Sequence, residues 1–537
     1  MIANADNQKY KTQLKRTWHT FFGRYNRLYE IQSLAIPVIL SKKNAILVSS
    51  TASGKTEAVI APLCERLLSE KRSGLSILYV TPTRALTNDL YDRLNEQLSA
   101  LDITFDIKTG DKPTLNWKKV PDILVTTPES LDSIICRHPE ILSKLMAVVI
   151  DEIHLTDGTY RGDQLRFLLQ RLRKRSPDFT VYALSATIAD PFRVASRYMK
   201  NGEVIQTSGA RIIKETYVKT LAEVRECCKK ENIKKLIIFC NSRKNAEVQG
   251  LEAKQFWPPL EVVVHHGSLH KKEREESERV MKTLNKAVCS ATMTLEIGID
   301  IGDIEAVVLA EVPLDVSSLI QRIGRSGRRT GIIRVFAITI NDATTSVFEE
   351  LFEAARKNLL EKYTYFEDYS VIVQQIYSML YAQRSGIAED DLCHFFEHFY
   401  PFASLKNILI PHLISEQKII RKLDKIYAAE VILNLGDHGV IHSNIPNTRV
   451  MEVYDTSRKQ AIGDIQFRTD KIEVGERFVL AGKMWEITEA EKFRINVKPI
   501  AKAGNPANFP PTSRVGAFFY DLPESMQEEM IHKRSGF

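Results

Sequence analysis

Paired cysteines are missing from this sequence. Its 7 cysteines, Cys64, Cys136, Cys227, Cys228, Cys240, Cys289 and Cys393, form no C-x-x-C pair and no Cys/His cluster at metal-ligand spacing. That argues against a zinc or iron–sulfur site and against a disulfide framework. Dispersed thiols with apolar flanks are expected instead as reduced core residues of a cytoplasmic protein. Long apolar runs are also missing. No stretch reaches the roughly 18 apolar residues of a membrane span, and the N-terminus MIANADNQKYKTQLKRTW lacks a signal-peptide core, so no membrane partner is expected. Charge of one sign is scarce too: 74 Lys and Arg face 67 Asp and Glu, and the net +7 is compatible with a polyanionic partner without demanding one. Repeats and low-complexity tracts are absent. A hydrophobic fraction of 44% and a charged fraction of 26% describe an ordinary folded chain, and 537 residues imply three or four domains.

What is present is rhythm. From Ala45 to Thr187 the short apolar runs AILVSS, SILYVTPT, DILVTTP, AVVIDEIH and TVYALSAT alternate with helical patterns, which specifies a parallel α/β sheet covered on both faces. From Lys235 the runs KLIIFCNS, EVVVHHGS, KAVCSATM, AVVLAEV and IRVFAITI repeat the pattern, with a joint expected near Gly202 to Gly209. Beyond about Leu360 three helices are expected, followed by extended residues, as in a winged-helix module. The remainder holds five short strands of a small β-rich domain. The expected fold class is thus α/β, with two tandem parallel-sheet domains, a winged-helix module and a β-rich C-terminal domain. The boundaries are placed at 1–205, 206–358, 359–438 and 439–537.

Two acid-and-phosphate signals sit in the first series. Ser49 to Thr56 lies between an apolar strand and a helix, the context in which backbone N–H groups of Ser53 and Gly54 and the helix N-terminus cradle a phosphate. Lys55 would reach the β and γ oxygens and Thr56, followed by Glu57, would ligate Mg²⁺. Ser49 and Ala52 stand where stricter versions carry glycine. About 95 residues on, Asp151 and Glu152 end the strand AVVI. There Asp151 would hold the metal and Glu152 would polarise a water.

With STASGKT, PTRAL, TTPESL, DEIH, SAT, IIFCNSR, TMTLEIGID and QRIGRSGR in this order, the chain resembles a superfamily 2 helicase. The resemblance implies two RecA-like domains that bind ATP and Mg²⁺ between them. It implies that Gln32 reads the adenine, that Gly298 and Asp300 approach the ribose, and that Arg325 and Arg328 reach the γ-phosphate from the second domain. His154, Ser185, Thr187 and Gln321 would couple hydrolysis to strand movement. Thr83, Arg84, Thr127, Pro128, Ser242, Arg243 and Thr294 would contact phosphates without reading bases.

Within the superfamily, DEIHLTDGTYRGDQLRFLLQRL and TLEIGIDIGDIEAVV look like the Lhr (large helicase-related) type, and GERFVLAGKMWEIT is similar to the Lhr β domain. That likeness implies 3′→5′ movement on single-stranded or tailed duplex DNA, or unwinding of RNA:DNA duplexes, in DNA repair or genome defence, with or without protein partners. Two other readings stay open: an RNA helicase, and an ATP-gated nucleic-acid-binding subunit of a larger complex that unwinds little alone. Phe478 and Trp485 either stack on bases or fill the small β core.

Overall fold

The computed structural model describes residues 2–25, 27–50, 53–112, 114–207, 212–295, 302–327, 331–361, 365–446, 451–465, 474–491, 494–500, 505–506 and 515–535. The β-branched runs of the first series become strands because both their faces are covered, and the side chains of the five central strands are all buried, while the two edge strands are only partly so. These are β1 (Ala45–Val48), β2 (Ile77–Val80), β3 (Phe105–Lys108), β4 (Ile123–Thr126), β5 (Ala147–Ile150), β6 (Thr180–Ser185) and β7 (Glu203–Gln206). They form one parallel sheet in the order β3-β4-β2-β5-β6-β1-β7. β7 lies inside the stretch read from sequence as the joint, so the crossing to the second domain is shorter, between Thr207 and Ile212.

The second domain repeats the plan with β8 (Ile212–Val218), β9 (Lys235–Phe239), β10 (Val262–His265), β11 (Ala287–Ala291), β12 (Ala306–Leu309) and β13 (Ile332–Ile338). Their order is β10-β11-β9-β12-β13-β8, again with every pairing parallel. Each sheet has an apolar cluster on either face. These are two RecA-like domains.

Downstream, helices Ser370–Ala382, Glu389–Phe396 and Ile410–Ser415 pack with a small antiparallel sheet of β14 (Ile387–Ala388), β15 (Ile419–Lys422) and β16 (Lys425–Ala428), the helices and wing of a winged-helix module. A mixed sheet follows, built from β17 (Met451–Asp455), β18 (Gln460–Ile465), β19 (Arg477–Leu480), β20 (Lys483–Ala490), β21 (Arg494–Pro499) and β22 (Asn505–Pro506). The chain then returns, and Phe518, Phe519, Leu522, Met526 and Met530 enter the core of the helical module.

The two appendages are fixed to different RecA-like domains. The helical module sits on the first, where Phe167 packs among Phe395, Phe396 and Phe399 and a buried polar network surrounds Asp132. The Asp132 carboxylate accepts hydrogen bonds from Gln375 (2.5 Å), Gln374 (3.1 Å) and Ser378, pairs with His442 (3.2 Å), and lies 3.5 Å from Arg171. The β sheet sits on the second domain. There the fully buried Glu247 accepts N–H groups of Ala481 and Gly482, both at 2.6 Å, and contacts His266 at 2.9 Å. Leu269 of the second domain enters the β-sheet core, and a side chain at Gly463 would strike the Ser268 carbonyl. Phe478 and Trp485 fill that core, 3% and 2% exposed, so they do not stack on bases. Among the described residues no helix is long and apolar enough to cross a membrane.

Candidate functional site

Loops at the C-terminal ends of β1, β5 and β6 converge, as ligand-binding loops of parallel sheets do. After β1 the chain turns through Gly54, whose φ of +78° lies in the left-handed region that a side chain disfavours. Helix Lys55–Ser69 starts there. A Cβ on Gly54 would come within 2.3 Å of the Gln32 amide, which donates to the Gly54 carbonyl (3.2 Å) and accepts from Tyr29 N–H (2.9 Å). Gln32 is thus packed against the loop. The Lys55 ammonium folds onto the loop's own carbonyls, Ser49 at 2.6 Å and Ser50 at 3.0 Å, so the loop closes around a buried cation.

Asp151 and Glu152 face this loop under tension. Glu152 adopts φ 43°, ψ 50°, a left-handed conformation that costs a non-glycine residue on the order of 1 kcal/mol or more and clusters at functional sites. Among the described residues, its Oε2 and the Ser53 hydroxyl are buried with no hydrogen-bond partner. Burial first, and the adjacent Glu152 charge second, raise the Asp151 carboxyl to about 6, against the Tyr79 hydroxyl that donates to it at 2.8 Å. Arg93 donates to the Thr56 hydroxyl at 3.0 Å; burial works against its charge, but Glu57, Asp89, Tyr79 and Asp151 more than offset it and raise the guanidinium above its ordinary value. A guanidinium thus stands in for positive charge among Thr56, Glu57 and Asp151. An unsatisfied acid oxygen and hydroxyl, a raised carboxyl and a stand-in cation together fit a hard divalent cation held by oxygen donors.

His154 connects this cluster to β6. Burial pushes its imidazole down to about 3 and the Lys55 charge adds to the effect, so its 3.5 Å approach to Glu152 is a neutral contact and not an ion pair. Its Nδ1 shares a hydrogen bond with Ser185 at 2.9 Å. Two residues on, Thr187 meets the second domain: its hydroxyl lies 2.7 Å from Ser317 and accepts from Gln321 at 3.2 Å. Beside this contact Val48, Ser49, Ile188, Ile320 and Gly324 line an interdomain cavity of about 260 Å³. Arg325, 1% exposed, is buried in the turn after helix Val316–Ile323. Gly298, Asp300 and Arg328 lie outside the described residues.

A much larger channel, about 1210 Å³, runs between both RecA-like domains and the helical module. Thr83, Arg84 and Thr127 reach its wall, while Pro128, Ser242, Arg243 and Thr294 are not among the residues lining it. Thr83 and Thr127 cap helices Arg84–Ser99 and Pro128–Arg137, and Ser242 caps Arg243–Ala253, which fixes three helix N-termini. Thr294 instead hydrogen-bonds His265 at 3.1 Å. The wall also holds Arg161, from the DEIHLTDGTYRGDQLRFLLQRL segment, and Lys108, Arg137, His270 and Arg274, which no motif identifies. Tyr79, Arg93 and Ser317 were likewise missed. Tyr79 had a usable signal, since its strand runs in register beside the one ending in Asp151.

A family description for the DEAD/DEAH box helicase matches residues 29–194, and one for the helicase conserved C-terminal domain matches 218–330. The chain is 28% identical over 551 residues to the ATP-dependent helicase Lhr-Core protein 2 of Thermococcus barophilus, covering 90% of this chain and 63% of that protein. It therefore spans slightly less than two thirds of that relative. Among solved structures, the DUF1998 helicase MrfA bound to DNA superposes with a TM-score of 0.73 at 21% identity, over 91% of this chain and 73% of that one. The helicase Lhr of Mycobacterium smegmatis bound to ssDNA and AMP-PNP gives 0.68 at 23% identity, over 81% and 62%.

Proposed function

We propose that this chain, which matches the DEAD/DEAH box and helicase C-terminal families and resembles the Lhr-type relatives, hydrolyses ATP between its RecA-like domains to move along a nucleic-acid strand. One observation carries the reading. The acid pair that would cleave ATP is linked through His154, Ser185 and Thr187 to Ser317 and Gln321 of the other domain, and a channel spans both domains.

In this reading the backbone N–H groups at Gly54 and Lys55 and the Lys55 ammonium bind the β- and γ-phosphates, with Lys55 leaving the Ser49 and Ser50 carbonyls to do so. Thr56 and Asp151 would hold Mg²⁺, which when bound neutralises charge on the β- and γ-phosphates. Glu152 accepts the proton of a water whose oxygen attacks the γ-phosphorus as the bond to the bridging oxygen breaks. Arg325 and Arg328 supply positive charge from the second domain, Gln32 holds the adenine, and Gly298 and Asp300 approach the ribose. Thr187 and Gln321 pass the change in the cleft to the channel.

The channel would take a single strand, with Thr83, Arg84 and Thr127 on its phosphates and Pro128, Ser242, Arg243 and Thr294 nearby. We assign DNA and 3′→5′ movement, on tailed or RNA:DNA duplexes, in repair or genome defence. The DNA and ssDNA held by the MrfA and Lhr structures support the choice of DNA. The test is strand displacement from duplexes with a 3′ or 5′ tail of DNA or RNA. Release from 3′-tailed DNA alone is expected; equal release from 5′-tailed or RNA-tailed substrates would refute the assignment.

A further inference from the structure

Among the described residues, the channel wall holds a buried cation that makes no ion pair. Lys108 ends β3, one of the two edge strands of the first sheet, and is only 7% exposed, yet it lines the channel. Among the described residues its ammonium makes no ion pair and no hydrogen bond; only its carbonyl is used, by Thr126 at 2.8 Å. The neighbouring wall acids are engaged elsewhere. Asp111 pairs with Arg84 at 2.5 Å, and Glu129 takes Arg161 in a two-pronged pair at 2.7 and 3.1 Å.

The charge that Lys108 does feel is another cation. Arg137, at the end of helix Pro128–Arg137, donates to the carbonyls of Gly436 (2.7 Å) and Asp437 (3.2 Å), so the helical module sets its position. Burial, and after it the Arg137 charge, hold the Lys108 ammonium below its ordinary value. A buried lysine beside an arginine, with no acid opposite, destabilises the empty protein. An anion reaching both would reverse the sign of that interaction.

We propose that Lys108 and Arg137 form a phosphodiester-binding subsite where a single strand passes from the first RecA-like domain onto the helical module. This rests on the strand-channel reading above. The chemistry fits because the site offers two donors of positive charge and no base-reading edge. Neither residue belongs to any motif.

The experiment measures binding of a fluorescent single-stranded oligonucleotide to the full chain across a salt series, with thermal melting alongside. Lys108→Gln should weaken binding roughly fivefold at about 0.1 M salt and lower the slope of log affinity against log salt by about 0.7, the release of counterions from one phosphate of a single strand. Lys108→Arg should keep both. Without nucleic acid, Lys108→Gln should melt no lower than the parent protein, because it removes an unpaired buried charge. Unchanged affinity and slope in Lys108→Gln would overturn the subsite while leaving the channel intact. So would a lower melting temperature with binding that Lys108→Arg fails to keep. No binding by the parent protein would overturn the channel reading and the subsite together.

Discussion

The nucleotide site and the strand channel are built in opposite ways. The first is compact: Ser53 to Glu57, Asp151, Glu152 and His154 all lie in the loops and helical turns that directly follow two strands of one sheet. The second is dispersed, with walls drawn from residues as distant as Pro82 and Asp464. Charge is handled differently too. Around the P-loop the cations are met, with Lys55 on carbonyls and Arg93 among acids, whereas among the described residues the channel keeps the Lys108 ammonium without an ion pair. A site that handles chemistry must place atoms to fractions of an ångström, which short local motifs do well. A site that tracks a backbone needs only charge and width, which many segments can supply.

The largest test of this division is Glu152→Gln. ATP hydrolysis should fall by about 10²–10⁴-fold, the usual weight of a general base, while strand affinity stays unchanged. If affinity falls in parallel, the two sites are not separable.

Next in size is Asp132→Ala, which strands Arg171 and His442 in the interior and should cost roughly 3–5 kcal/mol. Calorimetry should show a lower melting temperature, and limited proteolysis should cut first in the helical module. The same network predicts a pH dependence. Burial would lower His442, but Asp132 and Cys136 more than offset it and push the imidazole up to about 9 from an ordinary 6.5. Because the folded value lies above the unfolded one, this stabilisation is complete below pH 6.5 and lost as pH rises through about 9. Melting temperature should decline across that window in the parent protein, and the decline should be absent in His442→Gln.

A smaller effect is expected from Glu247→Gln. It weakens the grip on Ala481 and Gly482 and the contact with His266, at about 1–3 kcal/mol. Proteolysis should then release the β sheet first, sparing the helical module. The smallest effect belongs to Gln321→Ala, which removes one hydrogen bond to Thr187, about 1 kcal/mol. Steady-state kinetics should show hydrolysis without nucleic acid near the parent rate and a reduced stimulation by it.

How much of this was legible in the sequence follows the same division. Strand series, phosphate loop and acid pair were readable because each packs a fixed chemistry into a few consecutive residues. β7 was hidden in an apparent linker, because the single buried Ile205 of its four residues leaves little periodicity to see. Lys108 and Arg137 gave no signal, since an isolated lysine or arginine reads as a solvated surface residue until the fold buries it. The Asp132 network was invisible for a similar reason. Its partners Arg171, Gln375 and His442 are distant in the chain and meet only when the helical module docks on the first domain.

The most direct test of the central claim is the ATP hydrolysis rate of the full chain, with and without single-stranded DNA, beside Glu152→Gln. The account predicts strong stimulation by DNA in the parent protein and none above background in the variant. Hydrolysis indifferent to DNA, or persisting in Glu152→Gln, would contradict it.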